Sequence, residues 1–249
     1  MRFINNCDDV KYIRRYTTLP VLLDMLMRNE IPLLKPDTWK DKNDVEVMKI
    51  YQMYKNDKKK KEEKKKENTK KEEMIEEKKD DAYNILAACF TTGRESVYHW
   101  EAFSESNSGC MIKFNFERLK ERLNSYNLVC GKVKYVKLNM VNKTKCSIDE
   151  IPFRKRAQYK CEEELRMIFF AKSDMSSYPV NFDMSCVAEI ALSPNMPEPI
   201  ADTVTEILKS IVNNSKVKIH QSTLLKNKQW IGHFKNKTEK YLKKSASAR

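Results

Sequence analysis

The stretch Tyr159–Phe170, YKCEEELRMIFF, places three consecutive glutamates directly before a run of bulky apolar residues. Alternate side chains of a β-strand point to the same face. A strand through this stretch therefore puts Glu162, Glu164 and Arg166 together on one face, with neighbours about 7 Å apart. Glu163 then falls on the opposite face with the apolar residues that predict a core. The charged face forms either a salt bridge at a strand edge or the floor of a site.

The segments on either side of this stretch predict both strands and helices. Leucines at 19, 22, 23 and 26 follow helical spacing, with Thr17 or Thr18 as the N-cap and Pro20 in the first turn. Further helices are predicted at 116–123, at 199–212 and near the basic C-terminus. Strands are predicted at 31–34, 84–92, 109–116, 131–138, 163–170 and 186–193.

Strands separated irregularly by helices indicate an α+β fold. We expect a single domain spanning 1–249, with a split mixed β-sheet and flanking helices. A lysine-rich helical insert protrudes at 52–82, and a basic extension occupies 222–249. The length of 249 residues suits one large domain or two small ones.

The residues that are scarce exclude several classes of enzyme. Four glycines and three histidines provide no Walker A loop, no G-x-G-x-x-G turn and no paired-histidine metal spacing. No metal site is expected. Seven cysteines without a C-x-x-C pair favour free thiols in a reducing, cytoplasmic environment. No apolar stretch approaches the ~20 residues of a membrane span, so no membrane partner is expected.

The net charge of +13 is concentrated towards the C-terminus. Residues 58–81 hold eleven lysines but also nine acids, which predicts an ion-paired, solvated helix. Residues 209–249 hold eleven basic residues and one acid, and this excess favours an anionic partner, nucleic acid first. The basic residues form either a nucleic-acid-binding face or a solvated one; the candidates are Lys226, Lys228, Lys235 and Lys237, interleaved with Trp230, Phe234 and Tyr241.

Several separated stretches resemble a bacterial family known as domain of unknown function 2971. They are RYTT at 15–18, WKDKND at 39–44, CFTT at 89–92, the tryptophan–glycine segment at 98–114, and RKRAQYKCEEELRMIF at 154–169. The order of these stretches agrees with the family along roughly residues 11–220. Two departures are the missing proline in the 39–44 turn and Leu165 in place of a tryptophan.

A more distant resemblance is to ADP-ribosyltransferases, which hold NAD with a basic residue on an early strand, a hydroxyl-bearing strand and a late E-x-E. This resemblance implies Glu164 as the catalytic carboxylate and Glu162 as its partner orienting the acceptor. It implies contacts to NAD from Arg15, Thr91, Thr92 and Arg166. A carboxylate beside the anomeric carbon stabilises the positive charge that develops when nicotinamide leaves.

Two functions therefore follow from the sequence. The first is an NAD-using ADP-ribosyltransferase-like enzyme, acting as a bacterial toxin or anti-phage defence effector on a nucleic-acid or protein acceptor. The second is a non-catalytic nucleic-acid- or protein-binding module of a bacterial defence system, with a defence-system partner. A cleft that unites Arg15, Thr92 and Glu164 is the feature expected of the enzyme.

Overall fold

The structure, a computed structural model, describes residues 1–67, 83–171, 175–213 and 216–246. Its helices are α1 (Leu19–Arg28), α2 (Lys42–Glu67), α3 (Val97–Phe103), α4 (Phe116–Leu123), α5 (Glu198–Val212) and α6 (Lys228–Ala246). The first six strands are β1 (Arg2–Phe3), β2 (Tyr12–Thr18), β3 (Glu30–Leu34), β4 (Asn84–Thr91), β5 (Gly109–Asn115) and β6 (Val129–Lys132). The others are β7 (Lys134–Val136), β8 (Arg154–Arg156), β9 (Glu164–Ala171), β10 (Ser177–Asn181), β11 (Val187–Leu192) and β12 (Lys218–Gln221).

These elements form an α+β fold around one mixed sheet, as the sequence predicted. Eight strands run in the order β1-β6-β9-β4-β2-β5-β11-β12, and β3 joins β4 and carries β10. The terminal pairs β1–β6 and β11–β12 are parallel, whereas the central pairs are antiparallel. Strands β7 and β8 form a separate small parallel sheet.

The large sheet is split near its middle. Within the described strands, β2 and β4 share a single paired position, at which Arg14 lies opposite Thr91. By contrast, β4 pairs with β9 along its whole length, and β2 pairs with β5 likewise. We call the junction between β2 and β4 the seam.

The two faces of the sheet are covered differently. The main core lies on the face that carries Ile13, Leu86 and Leu165, and it is closed by helices α1, α4 and α5. On the opposite face, Met48 and Tyr51 of α2 pack with Ile168 over β4 and β9. Helix α3 covers β2 on that same opposite face, through contact of Trp100 with Tyr16.

Most predicted elements are present, with three corrections to their bounds. The run at 131–138 divides into β6 and β7, which belong to different sheets. The strand predicted at 163–170 starts one residue later, at Glu164. The described part of the lysine-rich insert, residues 52–67, is the outer part of α2, which begins at Lys42 and packs Met48 and Tyr51 into the core.

The ion pairing predicted for 58–81 is visible only in part. Asp57–Lys61 and Lys58–Glu62 are i, i+4 pairs of α2, and residues 68–82 lie outside the described part of the chain. No helix among the described residues is long and apolar enough to cross a membrane.

Candidate functional site

The acidic segment Glu162–Glu164 is a turn that leads into a strand. A 3₁₀ helix, Ala157–Glu162, ends there, Glu163 adopts the left-handed conformation with φ 43° and ψ 48°, and β9 begins at Glu164. The reversal buries Glu162 and Glu164, at 4% and 6% exposure, and exposes Glu163. The expectation that Glu162 lies on the same strand as Glu164 is therefore wrong, because Glu162 belongs to the 3₁₀ helix.

Glu164 is held by a fully buried arginine. Arg166 donates from Nε to Glu164 Oε1 over 2.7 Å and from Nη2 to Oε2 over 3.0 Å. It also donates to both carboxylate oxygens of Asp44, over 3.1 and 2.5 Å, and to the Pro152 carbonyl over 2.7 Å. Although burial alone would raise the pKa of Glu164, the charge and hydrogen bonds of Arg166 lower that pKa to about 2.

Lys155 completes this cluster from the neighbouring strand β8. Its Nζ lies 2.6 Å from Glu162 Oε2, 3.4 Å from Glu164 Oε2 and 3.7 Å from Asp44 Oδ2. Burial raises the pKa of both Glu162 and Asp44 above the ordinary carboxyl values. We call these five residues, three acids and two bases, the buried charge cluster: Asp44, Lys155, Glu162, Glu164 and Arg166.

The buried charge cluster corresponds to the salt-bridge alternative for the opening stretch. Each guanidinium nitrogen of Arg166 already donates to a protein oxygen, and the side chain has no exposed surface. Arg166 therefore has no exposed surface for a ligand, and the structure gives no support to the contact to NAD predicted for it.

A cavity of about 520 Å³ opens beside the cluster, where the end of β4 meets the start of β9. It combines a hydroxyl, an aromatic ring, two ammonium groups and two glutamates, from Thr92, Tyr135, Lys132, Lys160, Glu163 and Glu164. Its volume is in the range of small-molecule sites. Lys132 binds Asp9 over 2.7 Å, whereas the Lys160 ammonium makes no ion pair with the described residues.

Of the two candidate residues at the end of β4, Thr92 lines this cavity and Thr91 is buried beside it. Thr91 is paired with Glu164 across the β4–β9 ladder, and its Oγ1 accepts from the Gly93 N–H over 3.0 Å. Thr92 lines the cavity and donates from both its N–H and its Oγ1 to the Glu163 carbonyl, over 2.9 and 3.0 Å. Thr91, Thr92 and Glu164 are thus brought together by the fold.

Arg15 lies elsewhere. Its guanidinium donates to the Pro32 carbonyl over 3.3 Å and lies 6.0 Å from the Phe90 ring, which belongs to the main core. Since Glu164 belongs to the opposite face of the sheet, Arg15 and Glu164 do not share a cleft. Arg14 lies on the other face of β2 from Arg15, where it is opposite Thr91 at the seam and donates to the Gly93 carbonyl over 2.6 Å.

Glu163 at the cavity and Arg14 at the seam were not among the residues predicted from the sequence. Each stands next to the residue that was selected, so the error in both cases is one of register. A one-residue slip moves a strand residue to the other face of the sheet. In the sequences EEE and RR, the residue type gives no sign of which member faces the cavity; the positive φ of Glu163 decides it only in the folded chain.

The four candidate lysines lie on or just before α6. Lys226 precedes the helix, whereas Lys228, Lys235 and Lys237 lie on it among exposed apolar side chains. The rings of Trp230 and Phe234 are 5.0 Å apart and are 69% and 46% exposed. The described residues contain no group of three or more metal-ligating acids, histidines and cysteines.

Comparison with known proteins identifies no family. No family model matches the chain, and no curated protein matches it. The resemblance to domain-of-unknown-function family 2971 is therefore not supported and stays a hypothesis.

Solved structures of a Thermus protein share a low overall similarity. Thermus sp. 2.9 DarT in complex with NAD+ is 9% identical, with a TM-score of 0.36 over 86% of this chain and 96% of that one. The same protein in complex with ADP-ribosylated single-stranded DNA is 10% identical, with a TM-score of 0.37 over 85% and 94% of the two chains. Similarity this low establishes neither a shared activity nor a shared ligand.

Proposed function

We propose that this chain is an NAD-using ADP-ribosyltransferase-like enzyme whose substrate binds in the cavity between the end of β4 and the start of β9. The observation that carries the proposal is the set of groups lining that cavity. Thr92, Lys160, Glu163 and Glu164 meet where the end of β4 lies beside the start of β9.

The lining fits a dinucleotide without a glycine-rich loop. Lys160 makes no ion pair within the described residues and is available for the diphosphate, with Lys132 beside it. Thr92 offers a small hydroxyl side chain that lets a ligand approach the backbone. A carboxylate at the same cavity stabilises positive charge at the anomeric carbon, a term of several kcal/mol in related glycosyl chemistry.

Titration calorimetry with NAD tests this proposal directly. Lys160→Glu reverses the charge at the cavity, so we expect it to weaken NAD binding at least tenfold. Lys209→Glu, on α5 and on the other side of the sheet, is the matched control and should leave the Kd within about twofold. Absence of any NAD binding by the wild-type chain at millimolar concentration would rule the proposal out.

The acceptor is proposed to be nucleic acid, bound through Lys226, Lys228, Lys235 and Lys237. Support comes from α6, which presents these lysines beside the exposed rings of Trp230 and Tyr241. Lysine–phosphate contacts release counterions, and exposed rings stack on bases of a single strand. A protein acceptor and the non-catalytic binding module remain the alternatives that the test separates.

Fluorescence anisotropy with a labelled single-stranded oligonucleotide measures this binding. Combined Lys228→Glu and Lys235→Glu substitutions should weaken binding at least tenfold and reduce its salt dependence. Binding that persists with an unchanged salt slope contradicts a role for α6. Nucleic-acid binding by a chain that neither binds nor consumes NAD would favour the non-catalytic module.

The role as a bacterial toxin or defence effector belongs to the same proposal. Induced expression of the wild-type chain in a bacterial host should then arrest growth or block phage propagation. A variant that binds NAD but does not turn it over should do neither. Equal effects of the two chains would separate the biological role from the catalytic one.

A further inference from the structure

The conformation of Glu163 is the most unusual backbone feature near the cavity. Three non-glycine residues of the described chain have positive φ, and Glu163 is the one that lines the cavity. Side chains other than glycine, asparagine and aspartate seldom adopt this conformation, because Cβ approaches the backbone too closely. Such strained positions persist when their surroundings fix them, and they concentrate at functional sites.

Hydrogen bonds fix the backbone on both sides of Glu163. Thr92 donates to the Glu163 carbonyl from its N–H and its Oγ1. The Glu164 N–H donates to Tyr135 Oη over 2.8 Å, and His99 Nε2 lies 3.2 Å from the Glu162 carbonyl oxygen. The contacts come from three separate elements of the fold, so the unusual conformation is imposed by tertiary structure.

The carboxylate of Glu163 is open to the cavity and unpaired within the described residues. It makes no hydrogen bond or ion pair with them. It lies over Gly93, where an added Cβ would come within 2.8 Å of Oε1 and 3.2 Å of Thr91 Oγ1. Because residue 93 is glycine, the Glu163 carboxylate can lie beside Thr91 and Thr92 without steric overlap.

Glu164 has the opposite environment. Both of its carboxylate oxygens accept from Arg166, and Oε2 is also near Lys155. A carboxylate held in this way would have to break a buried ion pair before it could serve a substrate.

We propose that Glu163 is the catalytic carboxylate of the site and that Glu164 is a structural residue. This inference rests on the proposed function. Glu163 accepts the proton of the acceptor hydroxyl, amine or water as that group bonds to the anomeric carbon. The bond from this carbon to nicotinamide breaks in the same reaction, and neutral nicotinamide leaves with the bonding electron pair.

The first test compares binding with turnover in Glu163→Gln, which keeps the size and hydrogen-bonding capacity of the side chain. We expect NAD affinity by calorimetry to stay within about threefold of wild type. Release of nicotinamide, with water as the acceptor, should fall at least 100-fold. Turnover within tenfold of wild type would overturn the assignment.

The second test uses Glu163→Gly and combines thermal unfolding of the free chain with turnover of NAD. Glycine accepts positive φ without steric cost, so the variant should unfold at a temperature about 2–4 °C above wild type while losing turnover. Asn29→Gly, at φ 55° on the C-cap of α1, is the matched control and should keep full turnover. A stabilised Glu163→Gly chain with normal turnover would mean that the residue has no catalytic part.

The two proposals fail in distinguishable ways. A wild-type chain that binds no NAD and releases no nicotinamide refutes the proposed function, and this assignment with it. A wild-type chain that does both, beside Glu163 variants that do so equally well, refutes only the assignment.

Discussion

Arg166 gives the interior of this protein a polar anchor. It joins α2 to β9 through Asp44 and Glu164, and the Trp39 ring lies 4.8 Å from its guanidinium. The ions of the cluster lose most of their hydration on folding, so their mutual attraction offsets a desolvation cost of several kcal/mol per ion. The stability of the folded chain therefore depends strongly on the presence of each charged partner.

Arg166→Met should destabilise the chain by about 3–5 kcal/mol, because it leaves Asp44 and Glu164 with one cation, Lys155. The free energy of unfolding in denaturant measures the effect. Arg122→Met, which removes an exposed 2.8 Å ion pair with Asp183, is the control and should cost less than about 1 kcal/mol. Comparable losses in the two variants would contradict the structural role of the cluster.

The low pKa of Glu164 predicts how the cluster responds to acid. Its folded-state pKa of about 2 lies below its ordinary value of 4.5, so its ionisation stabilises the folded chain above about pH 4.5. That stabilisation disappears as the pH falls towards 2. The stability difference between wild type and Glu164→Gln should therefore be largest near neutral pH and shrink in this window. Denaturant unfolding at a series of pH values measures this stability difference. A stability difference that stays constant with pH would show that the partners of Glu164 do not lower its pKa in the folded chain.

Among the secondary-structure elements, α6 is distinguished by its exposed apolar residues. Large apolar side chains that are at least 46% exposed lie along it: Trp230, Ile231, Phe234, Tyr241 and Leu242. At 100° per residue they fall on one side of the helix, with lysines over the rest of its circumference. An exposed apolar stripe along a helix is typical of a surface that meets a partner.

Trp230→Ala should change the free energy of unfolding by less than about 0.5 kcal/mol, because the side chain is 69% exposed. Trp100→Ala is the matched comparison; its side chain is 3% exposed and bonded to Glu95, and its loss should cost about 3–5 kcal/mol. Urea unfolding of both variants measures this contrast. A large loss at Trp230 would mean that α6 packs on the body of the protein.

The whole molecule is organised by the seam. One half of the sheet carries Glu164 and Thr91, the other carries Arg14, and the two halves share a single paired position. Main-core side chains come from both halves, including Ile13 of β2 and Leu165 of β9. We propose on this ground that 1–249 is one domain, despite the split.

Limited proteolysis checks the single-domain proposal. Trypsin should cut first at lysines of the outer part of α2 or on α6, which are mostly exposed, and the remaining body should resist as one unit. Mass spectrometry of the earliest fragments locates the cuts. An early cut between the two halves of the sheet, for instance at 92–96, would indicate two independent units.

The sequence by itself determined the elements of this fold. Apolar spacing located α1 and α5 and the strands β3, β4, β5, β9 and β11, but it merged β6 with β7 and did not find β8 or β10. These patterns are local, since a buried helix or strand needs apolar residues at its own period whatever its neighbours are. Composition also placed the basic residues at the C-terminus, where α6 carries them.

Tertiary structure alone decided which of the three glutamates faces the cavity and which of the two arginines faces the seam. Glu163 is turned outward by a positive φ that Thr92, Tyr135 and His99 impose from distant parts of the chain. Arg14, and not Arg15, faces the seam because the register of β2 against β5 fixes its side. The physical reason is that adjacent like residues have the same local preferences, so only contacts made in the folded chain distinguish them.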